Sequence, residues 1–441
     1  MSDELNNLSK IQLINKCKIL NITGYSNKKK DDLIKLIKNN YIETDEKETS
    51  RYNDDEKSEI NNKKSLGQYF TINNDLQQFV FDNVKYKNDK LLEPSFGAGH
   101  LLIKFLQYNP DYDMECYEID NTIKPIVNFN EHQNINYCDF TKKNISYKFK
   151  TIIGNPPYIK KTDCNLYIKF IDICYDLLDD NGELIFIIPS DFIKLTSASN
   201  LINKMITNGS FTNFLFPNNE KLFNNANIDI MIFRYEKNLI SNNTIVNNIN
   251  KIYNTHNNII TFSDTPIIGT LLNTLFNVYV GMVSGKDEVY KVDFGNTNIL
   301  CDKNKLEKFI YIEKFPCEDE KINEYLINNK GNLLNRRIKK FNDNNWFLWG
   351  APRNIKNINK NLGKKCIYVK NMTRSNEVAF IDTVKLFGGS LICLIPKNEI
   401  EDDLLKKIVK YLNSEKFKSN YLYSGRFKIG HRQITNIIIP N

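Results

Sequence analysis

The sequence predicts a Rossmann-like α/β domain, preceded by a small helical module and followed by a mixed α+β domain. Short apolar runs alternate with helical stretches across 65–240, as in a parallel sheet covered by helices on both faces. Residues 43–64 are polar and charged, which is typical of a linker. An Asn-rich stretch at 241–258 ends the alternation. We therefore predict a helical module over 1–42, the α/β domain over 65–240 and the mixed domain over 259–441.

Each region is predicted from its own pattern. In the helical module, apolar residues recur at helical spacing around Leu13 and again around Leu33. In the α/β domain, apolar residues on one face predict a helix over Tyr167–Leu178. The mixed domain ends in a predicted helix near 402–413 and a strand at Asn436–Pro440. Short apolar runs predict four strands of the α/β domain: Leu91–Glu93, Cys116–Ile119, Thr151–Gly154 and Leu184–Ile188.

Composition narrows the classes of function. No apolar run has the length of a signal peptide or a membrane span, so we expect an intracellular, soluble protein that enters no membrane. The 9 cysteines form no CxxC pair and the 4 histidines lack metal-ligand spacing, so we expect neither a disulfide scaffold nor a metal site. The stretch from Arg336 to Arg374 contains eleven Lys or Arg and one acidic residue. The stretch from Lys406 to Arg432 contains eight Lys or Arg and one acidic residue. Such a surplus fits a phosphate-binding surface or a solvated basic face.

The strongest signal for chemistry is Asn155-Pro156-Pro157-Tyr158, directly after the predicted strand that ends at Gly154. Ligands of open α/β sheets bind outside the carboxyl ends of strands, where this loop would lie. The exocyclic amine of adenine is a poor nucleophile because its lone pair is delocalised into the ring. The Asn155 side-chain oxygen and the Pro156 carbonyl can each accept a hydrogen bond from that amine, and Tyr158 offers a face for a flipped-out base. Read alone, the loop also fits an ordinary Pro-Pro turn.

A glycine loop upstream predicts a bound cofactor. Glu93 and Pro94 end a predicted strand, and Gly97 and Gly99 follow before a helix, so the backbone can approach a ligand closely. The loop lacks the full GxGxxG pattern, so it does not specifically indicate a dinucleotide.

Two acids follow at the ends of the next strands. Glu118 stands where an acid can accept hydrogen bonds from both hydroxyls of a ribose. Asp139 and Phe140 suit the amino group and the ring face of an adenine. Singly, each acid fits a solvated strand end equally well. Their order and spacing favour the cofactor interpretation.

In this order the motifs resemble those of the TaqI-like (gamma-class) N6-adenine DNA methyltransferases, across about 65–238. The resemblance implies that S-adenosylmethionine is the cofactor and that its methyl group is transferred to N6 of a flipped-out adenine in a specific sequence of duplex DNA. The catalytic residues would be Asn155, Pro156, Pro157 and Tyr158. Phe223 would pack with Tyr158 against the base. Ser95 and Phe96 depart from the family pattern, where small residues are more common. The implied cofactor contacts are Thr71, Glu93, Pro94, Gly97, Gly99, Glu118, Asp139 and Phe140.

The flanking regions carry weaker resemblances. The C-terminal region resembles the target-recognition domain of that family, and the N-terminal module resembles a SAP domain, although a plain helical hairpin fits the module as well. The resemblance implies double-stranded DNA as the partner and makes a cognate restriction endonuclease a candidate partner. The implied DNA-binding residues are Lys28, Lys29, Lys30, Arg336, Arg337, Lys339, Arg353 and Arg374.

Two other functions stay open. Asn-Pro-Pro-Tyr also occurs in methyltransferases that act on RNA adenine or on a protein glutamine amide, because the acceptor is again a planar amine. The long basic C-terminal region favours DNA. A DNA-binding protein that has lost catalysis is a third interpretation, which the intact Asn155, Tyr158, Glu118 and Asp139 disfavour.

Overall fold

The structure is a computed structural model, and its contacts divide the chain into two compact units, Met1–Gln68 and Tyr69–Asn441. In the first unit, residues 30–34 are helical and Leu13 and Leu33 are buried. The rest of the predicted helical module and the predicted linker lie outside the described residues. The described residues are 13, 29–34, 70–160, 165–222 and 228–441.

The second unit contains a ten-stranded sheet with the order β10-β9-β8-β6-β7-β5-β4-β1-β2-β3. Strands β1 to β5 pair in parallel, and β7 runs antiparallel between β5 and β6. The doubly wound prediction is confirmed, since β1, β4 and β5 contain the predicted runs and β2 ends at Glu118. The ten strands are β1 (Leu91–Glu93), β2 (Met114–Glu118), β3 (Gln133–Tyr137), β4 (Phe149–Gly154), β5 (Leu178–Pro189), β6 (Gly209–Leu215), β7 (Ile230–Lys237), β8 (Asn243–Val246), β9 (Ile249–His256) and β10 (Ile259–Ser263).

The sheet continues past residue 240, where we predicted that the α/β domain would end. Strands β8, β9 and β10 are joined by two-residue turns, Asn247-Asn248 and Asn257-Asn258, and all four asparagines have positive φ. Asparagine tolerates this left-handed backbone, which tight hairpin turns require. The Asn-rich stretch is therefore turn chemistry within the sheet and not a domain boundary.

Four helices flank the first seven strands. The side chain of Asn73 caps the first helix by accepting hydrogen bonds from the backbone N–H groups of Asp75 and Leu76. The third helix buries Phe170, Ile171 and Cys174, the face that the sequence predicted. Hydrophobic cores lie on both faces of the sheet. The helices are α1 (Asn74–Asn83), α2 (Ile103–Tyr108), α3 (Leu166–Leu177) and α4 (Ser199–Thr207).

The C-terminal region is mixed α+β, as predicted. A four-stranded antiparallel sheet, β12-β18-β15-β17, packs against an amphipathic helix at 402–412. Its strands are β11 (Gly269–Leu271), β12 (Phe276–Val280), β13 (Thr297–Asp302), β14 (Lys305–Phe309), β15 (Lys365–Lys370), β16 (Met372–Thr373), β17 (Ala379–Thr383), β18 (Leu391–Pro396), β19 (Leu422–Tyr423), β20 (Arg426–Lys428) and β21 (Ile438–Pro440). Its helices are α5 (Leu272–Leu275), α6 (Asp287–Tyr290), α7 (Glu320–Asn328), α8 (Lys330–Leu334), α9 (Ile355–Asn359), α10 (Asp402–Leu412), α11 (Glu415–Lys418) and α12 (His431–Thr435).

Candidate active site

The Asn155–Tyr158 loop leaves the carboxyl end of β4, in the middle of the sheet. Asn155 is half-buried, and its Nδ2 donates a hydrogen bond to Thr71 Oγ1 at 3.0 Å. This contact fixes the direction of the amide, so that its Oδ1 faces the hydroxyl of Tyr158. The structure thus brings together Thr71 and Asn155, which are 84 positions apart in the sequence.

Tyr158 is half-buried and has at least two acceptors within reach of its hydroxyl. One is Asn155 Oδ1 and the other is the carbonyl oxygen of Ile187 on β5, at 3.0 Å. A phenol has one proton to donate, so the Tyr158 hydroxyl donates to one of these acceptors at a time. The Tyr158 ring meets Tyr167 edge to face, with centroids 6.3 Å apart. In the same loop, Pro156 is buried and Pro157 is half-buried. Phe223 lies outside the described residues.

The glycine loop between β1 and α2 has the conformation that its glycines allow. Gly97 and Gly99 have φ of +58° and +87°. A Cβ on Gly99 would lie 2.7 Å from the ring of Phe96, which is buried in the core. Phe96, the departure from the family pattern, therefore packs against the turn at Gly99, and the ring of Phe70 lies close to Gly97.

Glu118 closes the loop from the side. Its Oε2 accepts a hydrogen bond from Gly97 N–H at 2.7 Å, and its Oε1 accepts one from Asp120 N–H at 2.9 Å. Burial raises the pKa of Glu118 above its ordinary value, against the lowering effect of these backbone donors.

Glu93 is the most deeply buried carboxyl group of the site. It is 1% exposed, and its Oε1 would lie 3.4 Å from a Cβ on Gly154, the residue before Asn155. Burial raises the pKa of Glu93 well above its ordinary value. Pro94 is buried beside it. A cation bound here would favour the ionised form of both Glu93 and Glu118.

Asp139 and Phe140 lie just beyond β3, and one of the two differs from its prediction. Asp139 Oδ1 caps a short turn by accepting hydrogen bonds from Thr141 N–H at 3.0 Å and from its hydroxyl at 2.8 Å. Burial opposes ionisation, but these bonds and the Lys142 ammonium outweigh it and hold the pKa of Asp139 below its ordinary value. The Phe140 ring is 3% exposed and stacks on Phe170. We therefore correct its role: the ring belongs to the core and does not present an open face to an adenine.

Arg336 also differs from its prediction as a DNA contact. It is 6% exposed, and its guanidinium donates hydrogen bonds to the backbone carbonyls of four residues. It also stacks on Phe341, with its Cζ 3.7 Å from the ring centroid. Because the Arg336 guanidinium is buried and donates its hydrogen bonds to backbone carbonyls, Arg336 stabilises the surrounding fold and is not available to a phosphate. The acceptors are Ser284 (2.9 Å), Leu333 (2.7 Å), Trp346 (2.5 Å) and Leu348 (2.9 Å).

Six of the other residues predicted to bind DNA lie within the described residues, and their role stays a prediction. All are exposed, namely Lys29, Lys30, Arg337, Lys339, Arg353 and Arg374. Lys28 lies outside the described residues. Sequence reasoning missed Asp229, a buried carboxylate at the start of β7, because its partners come from distant parts of the chain.

Comparison with known proteins gives the family of the chain. The family model of the Eco57I restriction-modification methylases matches residues 2–223, just over half of the 441 residues. The chain belongs to this family. The TaqI-like class and the SAP-like module are finer assignments than this match, and both stay predictions.

This Eco57I-family methylase is also similar to individual curated proteins. It is 30% identical over 208 residues to the Type II methyltransferase M.HincII of Haemophilus influenzae, covering 42% of this chain and 40% of that protein. It is 34% identical over 100 residues to a ribosomal RNA small subunit methyltransferase A of Mesomycoplasma hyopneumoniae, covering 22% of this chain and 38% of that protein. The match covers about two fifths of the length of M.HincII and of M.HindII, both from Haemophilus influenzae.

A solved structure shares the fold over most of the methylase. The structure of the Type IIL restriction-modification enzyme MmeI in complex with DNA has a TM-score of 0.51 and 9% sequence identity, covering 83% of this chain and 64% of that one. At this identity the likeness establishes the fold alone.

The cofactor of this methylase fold is S-adenosylmethionine, and the site suits it. Gly97 and Gly99 place no Cβ atoms of their own on the loop, and Glu118 offers acceptors to hydroxyl groups. Glu93 and Glu118 make the site acidic, which suits a ligand with an ammonium and a sulfonium cation. Within the described residues, no group of three or more His, Cys, Asp or Glu is arranged to hold a metal ion. No helix among them is long and apolar enough to span a membrane.

Proposed function

We propose that this Eco57I-family methylase transfers the methyl group of S-adenosylmethionine to the N6 amino group of a flipped-out adenine in a specific sequence of duplex DNA. One observation carries the proposal. At the carboxyl end of β4, Thr71 fixes the amide of Asn155 so that its oxygen faces the Tyr158 hydroxyl. A hydrogen-bond acceptor held in place is what a weakly nucleophilic amine requires.

The loop would activate the amine with two acceptors. Asn155 Oδ1 and the Pro156 carbonyl oxygen each accept one N6 hydrogen, which draws the nitrogen toward tetrahedral geometry and localises its lone pair. With the amine bound, the Tyr158 hydroxyl would donate to the Ile187 carbonyl, which lies within reach at 3.0 Å. S-adenosylmethionine supplies the electrophilic methyl group when bound. No strong base is needed, because the amine loses its proton after positive charge has developed on it.

The cofactor would lie across the acidic side of the site. Glu118 would accept hydrogen bonds from the ribose hydroxyls, Gly97 and Gly99 would let the ligand approach the backbone, and Asp139 would accept a hydrogen bond from the adenine amino group. Thr71 would sit by the methionine portion while its hydroxyl holds the Asn155 amide. Thr71 is 3% exposed, so this link between cofactor and catalytic loop is shielded from water.

DNA would be held mainly by the C-terminal domain. Arg337, Lys339, Arg353 and Arg374 are exposed there, and exposed Lys or Arg side chains bind backbone phosphates independently of sequence. A cognate restriction endonuclease remains a prediction from the resemblance.

RNA adenine is the second candidate substrate. The similarity to a ribosomal RNA methyltransferase favours it, but that match covers 22% of the chain against 42% for M.HincII. The mixed C-terminal domain with its exposed basic residues adds weight to DNA.

The test is the transfer of tritiated methyl groups to equal masses of duplex DNA, ribosomal RNA and protein, each followed by analysis of the modified monomer. We expect incorporation into DNA as N6-methyladenine. Incorporation into RNA alone or into glutamine would replace the proposed substrate, and methylcytosine in DNA would contradict the proposed target atom.

A further inference from the structure

A hairpin near the C-terminus packs onto the carboxyl edge of the large sheet. Its strands, β19 and β20, are joined by a two-residue turn of Ser424 and Gly425, which have φ of +48° and +69°. This tight turn reaches carboxylates of the α/β domain that lie 195 to 237 positions earlier in the chain.

Three contacts hold the hairpin there. Each joins a side chain of the α/β domain to a group of the hairpin, and we call these six residues the hairpin junction. The pairs are Glu220 Oε2 with Arg426 Nη2 (2.9 Å), Asp191 Oδ2 with Lys428 Nζ (2.9 Å) and Asp229 Oδ2 with the N–H of Ser424 (3.2 Å).

Asp229 connects the hairpin junction to the catalytic loop. Its Oδ2 also accepts a hydrogen bond from Ser190 Oγ at 3.1 Å. Ser190 directly follows β5, and the carbonyl oxygen of Ile187 on β5 accepts the hydrogen bond of the Tyr158 hydroxyl at 3.0 Å. A path of hydrogen bonds therefore runs from the hairpin turn through Asp229 to Ser190, continues along the backbone of β5 to Ile187, and ends at the hydroxyl of Tyr158.

The hairpin junction is poorly satisfied for a buried polar contact. Asp229 is 2% exposed, yet its Oδ1 has no hydrogen-bond partner among the described residues, and the same holds for Ser424 Oγ and Arg426 Nε. Burial accordingly raises the pKa of Asp229. A buried carboxylate with an unpaired oxygen costs stability, so its presence calls for a role other than stability.

We propose that Asp229 is a positioning residue that couples the C-terminal hairpin to Tyr158. By fixing Ser190 it holds the end of β5, where the Ile187 carbonyl accepts a hydrogen bond from the Tyr158 hydroxyl, and it thereby positions Tyr158 in the catalytic loop. DNA held by the C-terminal domain thereby acts on the geometry of the catalytic loop. The inference rests on the proposed function, since its readout is methyl transfer to DNA.

A double-mutant cycle between Asp229→Ala and Tyr158→Phe tests the path. Asp229→Ala should lower kcat by about tenfold and change the KM for S-adenosylmethionine by less than about twofold. In the Tyr158→Phe background, where the hydroxyl is absent, the same change should lower kcat by less than about twofold. Effects that multiply in the double variant would overturn the coupling, because Asp229 would then act independently of the hydroxyl.

Two further variants keep the result interpretable. Ser190→Ala interrupts the same path with a smaller change, and should show the same non-additivity if Asp229→Ala fails to fold. Ser199→Ala is the control, because it removes a 2.7 Å hydrogen bond from Arg432 that joins the same two regions but lies outside the path. Its kcat should match that of the unmodified protein.

The two levels of the account fail differently. If the unmodified protein transfers no methyl group to DNA, the proposed function is wrong and the inference falls with it. If it transfers normally and the cycle is additive, only the coupling is wrong.

Discussion

The carboxyl edge of the sheet and the C-terminal domain use charge in opposite ways. At the sheet edge, Glu93 and Glu118 are buried and burial raises the pKa of both, and a bound cation would favour their ionised form. In the C-terminal domain, Arg337 and Arg374 are exposed, while Arg336 is buried and bonded to backbone carbonyls. The difference teaches that the role of an ionisable residue follows from its burial and its partners. The buried residues here form a pocket or stabilise the fold, and the exposed ones are accessible to a polyanion.

Substitution of Asn155 should have the largest effect, because it removes the acceptor at the reacting atom and leaves the acidic pocket intact. We expect Asn155→Ala to lower the rate of methyl transfer by about 10³-fold. Titration calorimetry should show nearly unchanged affinity for S-adenosylmethionine. Loss of cofactor binding would mean that the residue's role has been misplaced.

Arg336 and Arg337 offer the sharpest test of the basic region, since they are adjacent and chemically identical. Arg336→Ala leaves four carbonyls without their donor and should cost about 3 kcal/mol in the free energy of unfolding, measured by denaturant titration. Arg337→Ala should change stability by less than about 0.5 kcal/mol.

The second variant should instead weaken DNA binding. We expect Arg337→Ala to reduce the slope of log affinity against log salt by about one. Equal stability effects for the two variants would remove the distinction between buried and exposed arginines.

Substitution of Gly99 tests whether the cofactor site requires a residue without a side chain at this position. Gly99→Ala adds a Cβ 2.7 Å from the Phe96 ring at a φ of +87°, so we expect about tenfold weaker cofactor binding and a cost of about 1–3 kcal/mol. Gly363→Ala is the matched control, since Gly363 has a φ of +79° and open space around it. If Gly363→Ala loses less stability than Gly99→Ala, the difference is due to the clash with Phe96. If the two variants lose the same stability, the whole cost is due to the positive φ.

The smallest effect should come from pH. The ionised form of Glu118 is the better acceptor for hydroxyl groups, and its pKa is raised, so protonation begins at a higher pH than for an ordinary glutamate. Cofactor affinity should therefore fall as the pH falls through this raised pKa, by less than about tenfold in total, because protonation weakens the hydrogen bonds of one carboxylate alone. Calorimetry between pH 8 and pH 5 measures it, with Glu118→Gln expected to flatten the profile. A profile unchanged by that substitution would assign the titration to another group.

The sequence was most informative where function depends on local order. The strands ending at Glu93, Glu118 and Gly154 and the loop at Asn155 all carry their signal within a few residues, so their meeting at one edge followed from the parallel sheet. Arg336 was misassigned because burial depends on partners such as Ser284, 52 positions away. The role of Asp229 was invisible for the same reason, since Ser424 lies 195 positions away. The asparagines at 247–248 misled us because turn and linker chemistry use the same residue.

The central claim, that the Asn155 loop methylates adenine in DNA, is tested most directly by nucleoside mass spectrometry of plasmid DNA from cells that lack other methylases. Cells expressing the unmodified protein should contain N6-methyladenine, and cells expressing Asn155→Ala should not. Plasmid with methylcytosine instead, or with equal N6-methyladenine from both proteins, would contradict the account.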